Sequence, residues 1–192
     1  MKFFILLSLV TIATAFTSLA QESAIRGRIG FCMDGVVLIS DYDKIAASNL
    51  YKYGIGGSLK IDFPILTPGL FLSTSGGYTS FKLSDTLGSF ARRRYPPAGL
   101  GSENFILLKF GVKYYFNKVF FAEVLGGAAF HTGRDLLETQ TNGAHILYSP
   151  GIGYSFGNGI EIGARFESWK LGSEIGNMNQ LDIRLAYMFK LP

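Results

Sequence analysis

Apolar residues recur at every second position in eight separate stretches between positions 25 and 191, with charges on the alternate positions. In 52–63, Tyr53, Ile55, Leu59, Ile61 and Phe63 share one parity, and Lys52, Lys60 and Asp62 share the other. Successive side chains of a strand point to opposite faces, so each stretch predicts a two-faced β-strand. The strands are expected over 25–37, 50–63, 69–81, 105–116, 119–130, 144–156, 160–171 and 179–191. Parity is weakest in the third, where Phe71 and Phe81 fall on the polar side.

The connections alternate in length. Those at 64–68, 117–118 and 157–159 are short, and Gly157-Asn158-Gly159 is strong hairpin chemistry because Asn and Gly tolerate positive φ. Those at 40–49, 82–104, 131–143 and 172–178 are longer. Alternating short turns and long loops on eight strands describe a transmembrane barrel with both termini periplasmic and the long loops outside.

Periodicity alone does not say which face points outward. A soluble lipocalin-like barrel would put its charges outside. The inverted arrangement is favoured because the apolar rows are expected to carry no charge, and a Lys or Arg at mid-bilayer costs about 2–4 kcal/mol. The other rows mix charges with Gly54, Gly56, Gly111, Gly127, Gly151, Gly153, Gly163, Leu107, Phe121 and Leu125, which suits the inside of a narrow cylinder. Aromatics at the ends of apolar runs (Tyr51 and Tyr53, Phe63, Tyr114 and Phe116, Phe120 and Phe130, Tyr154 and Phe156, Tyr187 and Phe189) predict two interfacial girdles. Lipid offers no hydrogen-bond partners, so the sheet must close on itself.

The predicted interior charge network is Arg26, Arg28, Asp34, Lys52, Lys60, Asp62, Lys109, Lys113, Glu123, Glu161, Arg165, Glu167, Asp182 and Arg184. Its signs nearly balance, and buried charges must be paired or solvated. A plug of salt-bridged side chains is expected. A narrow channel for ions or small solutes is the alternative.

Residues 1–20 read as a signal peptide: Lys2, an apolar run over 3–15, and the small-x-small site Ser18-Leu19-Ala20. Residues 21–192 then form one outer-membrane barrel domain. The net charge of +4 is spread among the strands, which argues against nucleic acid as a partner. The single cysteine, Cys32, excludes an internal disulfide and is expected to be a buried free thiol.

The chain resembles the small eight-stranded outer-membrane barrels of Gram-negative bacteria, such as OmpX and the membrane domain of OmpA. The sharpest local match is the last strand, where Arg184, Ala186, Phe189 and Leu191 fall at the spacings of a C-terminal assembly signal, with Ala186 in place of Gly. The resemblance implies folding by the barrel-assembly machinery, contact with outer-membrane lipid and lipopolysaccharide, and a monomer. No peptidoglycan-binding domain is expected after the barrel.

Three further features bear on candidate sites. Arg92-Arg93-Arg94 in the longest loop is a candidate grip for lipopolysaccharide phosphates. His131 and His145 flank one loop containing Asp135 and Glu138, and form a candidate rim pair for a metal or for an acyl hydrolase. The lipid-modifying enzyme is a further alternative, although neither His131-Thr132-Gly133 nor His145-Ile146-Leu147 supplies the His-x-Ser pair of barrel deacylases. Trp169 is expected at the membrane interface or rim. No catalytic, cofactor-binding or metal site is assigned. The reading is a non-enzymatic barrel with a structural or surface-interaction role exercised through its loops.

Overall fold

The computed structural model describes residues 26–39, 51–65, 67–84, 102–132, 144–172 and 176–191. Eight strands, β1 (Arg28–Ile39), β2 (Tyr51–Pro64), β3 (Leu70–Leu83), β4 (Ser102–Tyr115), β5 (Phe120–Thr132), β6 (Ala144–Ser155), β7 (Ile160–Gly172) and β8 (Gly176–Lys190), pair in chain order. β1 also pairs antiparallel with β8, from Arg28 opposite Lys190 to Ile39 opposite Asn179, and so closes the barrel. Closure leaves no edge with unpaired backbone groups. No described residue is helical.

All eight predicted strands are present, with ends shifted by a few residues. The expected signal peptide, residues 1–20, lies outside the described residues. The β2–β3, β4–β5 and β6–β7 connections lie at one end of the barrel, which also holds the first and last described residues. This is the turn end, and the opposite one is the loop end. At the third turn Gly159 has φ of 94°, and a Cβ there would sit 2.7 Å from the Met188 carbonyl oxygen, so glycine is required.

The outer face is apolar on every strand. Phe31, Met33, Ile55, Leu108, Phe110, Val124, Ile146, Ile152, Ile183 and Leu185 are all exposed. Exposed aliphatic surface encircling the whole barrel is unsuited to water and suited to hydrocarbon. The expectation of a wholly uncharged outer face needs correction. Lys82 and Lys170 sit on the outward rows of β3 and β7, close to the loop end: β3 runs on beyond its expected end at 81, and Lys170 lies within the expected 160–171 on the parity of Ile160 and Ile162. Long cationic side chains at a membrane boundary keep their stems in apolar surroundings and extend the charge to the headgroups.

Three other departures have local causes. A register shift between Tyr51 and Tyr53 in the β2–β3 pairing turns Tyr51 into the lumen and leaves Lys52 exposed, so neither takes the face that simple alternation assigns. β4 begins at Ser102, which brings Glu103 out of the expected long loop and into the barrel. β7 and β8 pair as far as Gly172 and Gly176, further along both strands than the expected connection at 172–178 allows.

Candidate functional site

The side chains with chemical potential lie on the inward rows. All the predicted interior charges except Arg26 and Lys52 face the lumen and take part in ion pairs there. Arg26 is exposed at the turn end, just before β1, and Lys52 is displaced by the β2 irregularity. Six cations (Arg28, Lys60, Lys109, Lys113, Arg165 and Arg184) meet six carboxylates (Asp34, Asp62, Glu123, Glu161, Glu167 and Asp182), so this set is neutral.

The pairs are held by strands far apart in sequence. The Arg184 guanidinium donates to both oxygens of Asp34, Nε to Oδ1 at 2.6 Å and Nη2 to Oδ2 at 2.9 Å. This fork geometry is among the strongest a carboxylate can accept. Arg165 donates to Asp182 and lies 3.4 Å from Asp34 and 3.3 Å from Glu167. Lys109 donates to Glu167, which also accepts from Ser149 and Gln180, each at 3.1 Å. Lys60 of β2 crosses the lumen to Glu123 of β5. Nearer the turn end, Lys113 reaches Glu161 at 2.6 Å and Asp62 at 3.3 Å. Arg28 joins the same two carboxylates at 3.0 and 3.1 Å. The Tyr115 hydroxyl donates to Glu161 at 2.5 Å and accepts from Arg28 at 2.8 Å. Small residues make room for these groups. At Gly153, for instance, a Cβ would fall 2.3 Å from the Phe121 ring.

The loop end of the lumen is filled differently. Val36, Leu38, Tyr51, Phe81, Leu83, Phe105, Leu107, Ala129, Leu147, Trp169 and Met178 form one buried apolar cluster. Trp169 is 1 % exposed and packs against Phe81 and Phe105, with ring centroids 6.1 and 5.9 Å apart, so it is an interior residue and not the rim aromatic expected from sequence. Its parity with Arg165 and Glu167 was the available signal. Within this cluster the Tyr51 hydroxyl donates to Glu103, a contact invisible to sequence reasoning because it depends on the β2 register shift.

His131 and His145 both sit on inward rows at the loop end. His131 Nε2 is 4.0 Å from Glu103 and its ring packs edge-on against Phe105, with centroids 5.2 Å apart. His145 Nδ1 lies 2.7 Å from the Lys170 carbonyl oxygen. The two imidazoles are thus held by separate partners. Among the described residues no group of three or more His, Cys, Asp or Glu side chains is arranged to hold a metal. Arg92, Arg93, Arg94, Asp135 and Glu138 lie outside the described residues. Cys32 is a free thiol, buried between Ala186 and Met188.

No protein-family profile matches the chain, and no curated protein sequence matches it. Solved structures do. The crystal structure of Ail, the attachment invasion locus protein of Yersinia pestis, aligns with a TM-score of 0.51 at 13 % identity, over 85 % of this chain and 98 % of that one. The same protein in a phospholipid bilayer nanodisc aligns with a TM-score of 0.50 at 14 % identity, over 85 % and 99 % of the two chains. The N-terminal barrel domain of Pseudomonas aeruginosa OprF gives 0.48 at 16 % identity, over 84 % and 97 %. Closed in chain order, apolar outside and ionic within, the chain has the fold of the small eight-stranded outer-membrane β-barrels.

Proposed function

We propose that this is a monomeric integral outer-membrane protein whose barrel is a sealed anchor and whose loops carry a surface-interaction role. The observation that carries this reading is the division of the barrel wall: an apolar belt on every strand outside, and inside it charges that neutralise one another beneath an apolar plug. A cylinder filled this way leaves its loops as the variable, solvent-facing part. The name of the Yersinia relative in fold, an attachment protein, is in keeping with such a role.

In this reading both termini are periplasmic, the long loops are extracellular, and the barrel-assembly machinery inserts the chain after the signal peptide is removed. Lipopolysaccharide is the proposed lipid partner. Lys82 and Lys170 emerge on the outer face at the loop end, where the outer-leaflet phosphates would lie, and Arg92, Arg93 and Arg94 would add a cationic loop above them. The test is twofold. Protein folded from the membrane fraction should require detergent for extraction and run faster on gels unboiled than boiled. In planar bilayers it should give no steady conductance. Extraction without detergent sinks the anchor, and reproducible single-channel steps sink the seal.

One observation favours a narrow channel as the second reading. Arg165 Nε and Nη1, Arg184 Nη1, Asp182 Oδ1 and Gln180 Oε1 are buried without a hydrogen-bond partner among the described residues. Buried polar atoms of this kind usually hold water. A hydrated thread there would still meet the Trp169 cluster before reaching the loop end. For the enzyme alternative, replacing both His131 and His145 should leave membrane lipid composition unchanged. A changed acylation pattern would revive it.

A further inference from the structure

At the turn end the lumen opens into a cavity of about 750 Å³ whose lining includes Arg26, Arg28, Phe71, Tyr115, Lys118 and Lys190. Its floor is aromatic. Phe71 and Tyr115 meet edge-on with centroids 5.7 Å apart, and the Arg28 guanidinium lies 4.8 and 5.0 Å from their two ring centres. Arg28 is accounted for by Asp62 and Glu161. The other three cations are not: Arg26, Lys118 and Lys190 are exposed and form no ion pair with any described residue. Asp62 and Glu161, the carboxylates at this end among the described residues, are 0 % and 3 % exposed and already engaged.

Lys190 is directly opposite Arg28 across the β1–β8 seam, and Arg26 is exposed two residues before Arg28, at the same mouth. Like charges opposed across a sheet repel. The rim that carries them is nonetheless firmly tied. The Tyr115 N–H donates to the Gly69 carbonyl at 2.8 Å, and the Leu191 N–H to that of Gly27 at 2.7 Å. Asn117 Oδ1 accepts from the N–H groups of Val119 and Phe120 at 2.9 and 2.7 Å, which fixes the turn bearing Lys118. These contacts fix the backbone that places the three cations around one mouth, so an anion entering there has only their side chains left to order.

We propose that this vestibule binds a phosphate-bearing ligand from the turn-end side. Arg26 would grip the phosphate through its fork, with Lys118 and Lys190 as point charges, while Phe71 and Tyr115 pack against the adjoining apolar part. Three unpaired cations match a phosphate monoester, with about −1.5 to −2 charge at neutral pH, better than a single carboxylate. The phosphate could come from a soluble molecule or from a lipid headgroup, and the experiment separates these.

The full chain, ¹⁵N-labelled, is folded into phosphatidylcholine nanodiscs and titrated with phenyl phosphate and with inorganic phosphate. Backbone amide shifts of Gly69, Asn117, Lys118 and Leu191 are followed. The expected result is saturable shifts confined to the turn end, tighter for phenyl phosphate and weakened by added salt. Arg26→Gln, Lys118→Gln and Lys190→Gln combined should weaken binding by about tenfold or more, since charge-assisted contacts to the phosphate are lost. Phe71→Leu should narrow the advantage of phenyl phosphate over inorganic phosphate. Repeating the titration in discs containing phosphatidylglycerol assigns the source: displacement of phenyl phosphate points to the bilayer, undiminished affinity to a soluble ligand. Absence of saturable shifts, or affinity indifferent to the triple substitution, overturns the proposal. Heat-modifiable mobility of each variant shows that the barrel has folded, so a folded barrel that ignores phosphate counts against this site and not against the membrane anchor.

Discussion

In the central part of the lumen, Arg184 grips Asp34, Arg165 bridges Asp182 and Glu167, and Lys60 reaches across to Glu123. Toward the loop end, Trp169, Phe81, Phe105 and Leu147 fill the cylinder, with Glu103 the one carboxylate beside them among the described residues. The two regions do different work. Ion pairs are directional and join strands on opposite walls, as β2 to β5 and β4 to β7, so they specify which rows face inward and at what register. The apolar plug is non-directional. Its energy depends on filling volume. One narrow barrel thus uses polar contacts for specificity and packing for closure.

The largest separation between the regions should come from single truncations. Asp34→Leu leaves Arg184 and Arg165 short of a buried carboxylate and should cost about 3–5 kcal/mol, read from urea unfolding in lipid vesicles. The paired change Lys60→Met with Glu123→Leu removes both partners together and should lose far less than either change alone. Equal losses would mean the ion pairs are ordinary packing. Trp169→Ala should also cost about 3–5 kcal/mol, by leaving a cavity in the plug. It differs from the charge variants in a second readout: conductance should appear in planar bilayers for Trp169→Ala and stay absent for the Lys60/Glu123 pair. If the charge variants conduct and Trp169→Ala does not, the seal lies in the network.

Smaller effects compare the outer wall with itself. Phe110 is 67 % exposed in the middle of β4, and Phe110→Lys should cost about 2–4 kcal/mol in a bilayer. Lys82→Ala, at the loop end of the same face, should change stability by less than about 1 kcal/mol, because its contact with the Tyr53 ring at 5.7 Å is exposed. Similar costs at both positions would mean that the apolar belt has been placed wrongly along the barrel.

Alternation made the strands and the inward charges readable in advance, because the face of a side chain follows from its position in an extended segment. The failures share a cause. Tyr51 and Lys52 exchange faces at an irregularity that exists only in the pairing of β2 with β3. Glu103 precedes Phe105, the first apolar residue of the β4 pattern, and joins the strand only through its pairing with Phe81 of β3. Closeness to a strand end suggests the rim for Trp169, whereas the row it shares with Arg165 and Glu167 turns it inward.

Sequence alone determined the number of strands, their two-faced character and the near balance of charge on one face, since these follow from local periodicity. Tertiary structure decided which carboxylate meets which cation, where the lumen changes from ionic to apolar, and that Arg26, Lys118 and Lys190 converge on one mouth. Those outcomes depend on register and closure, which bring together side chains from strands far apart in the chain, and no local pattern carries that information.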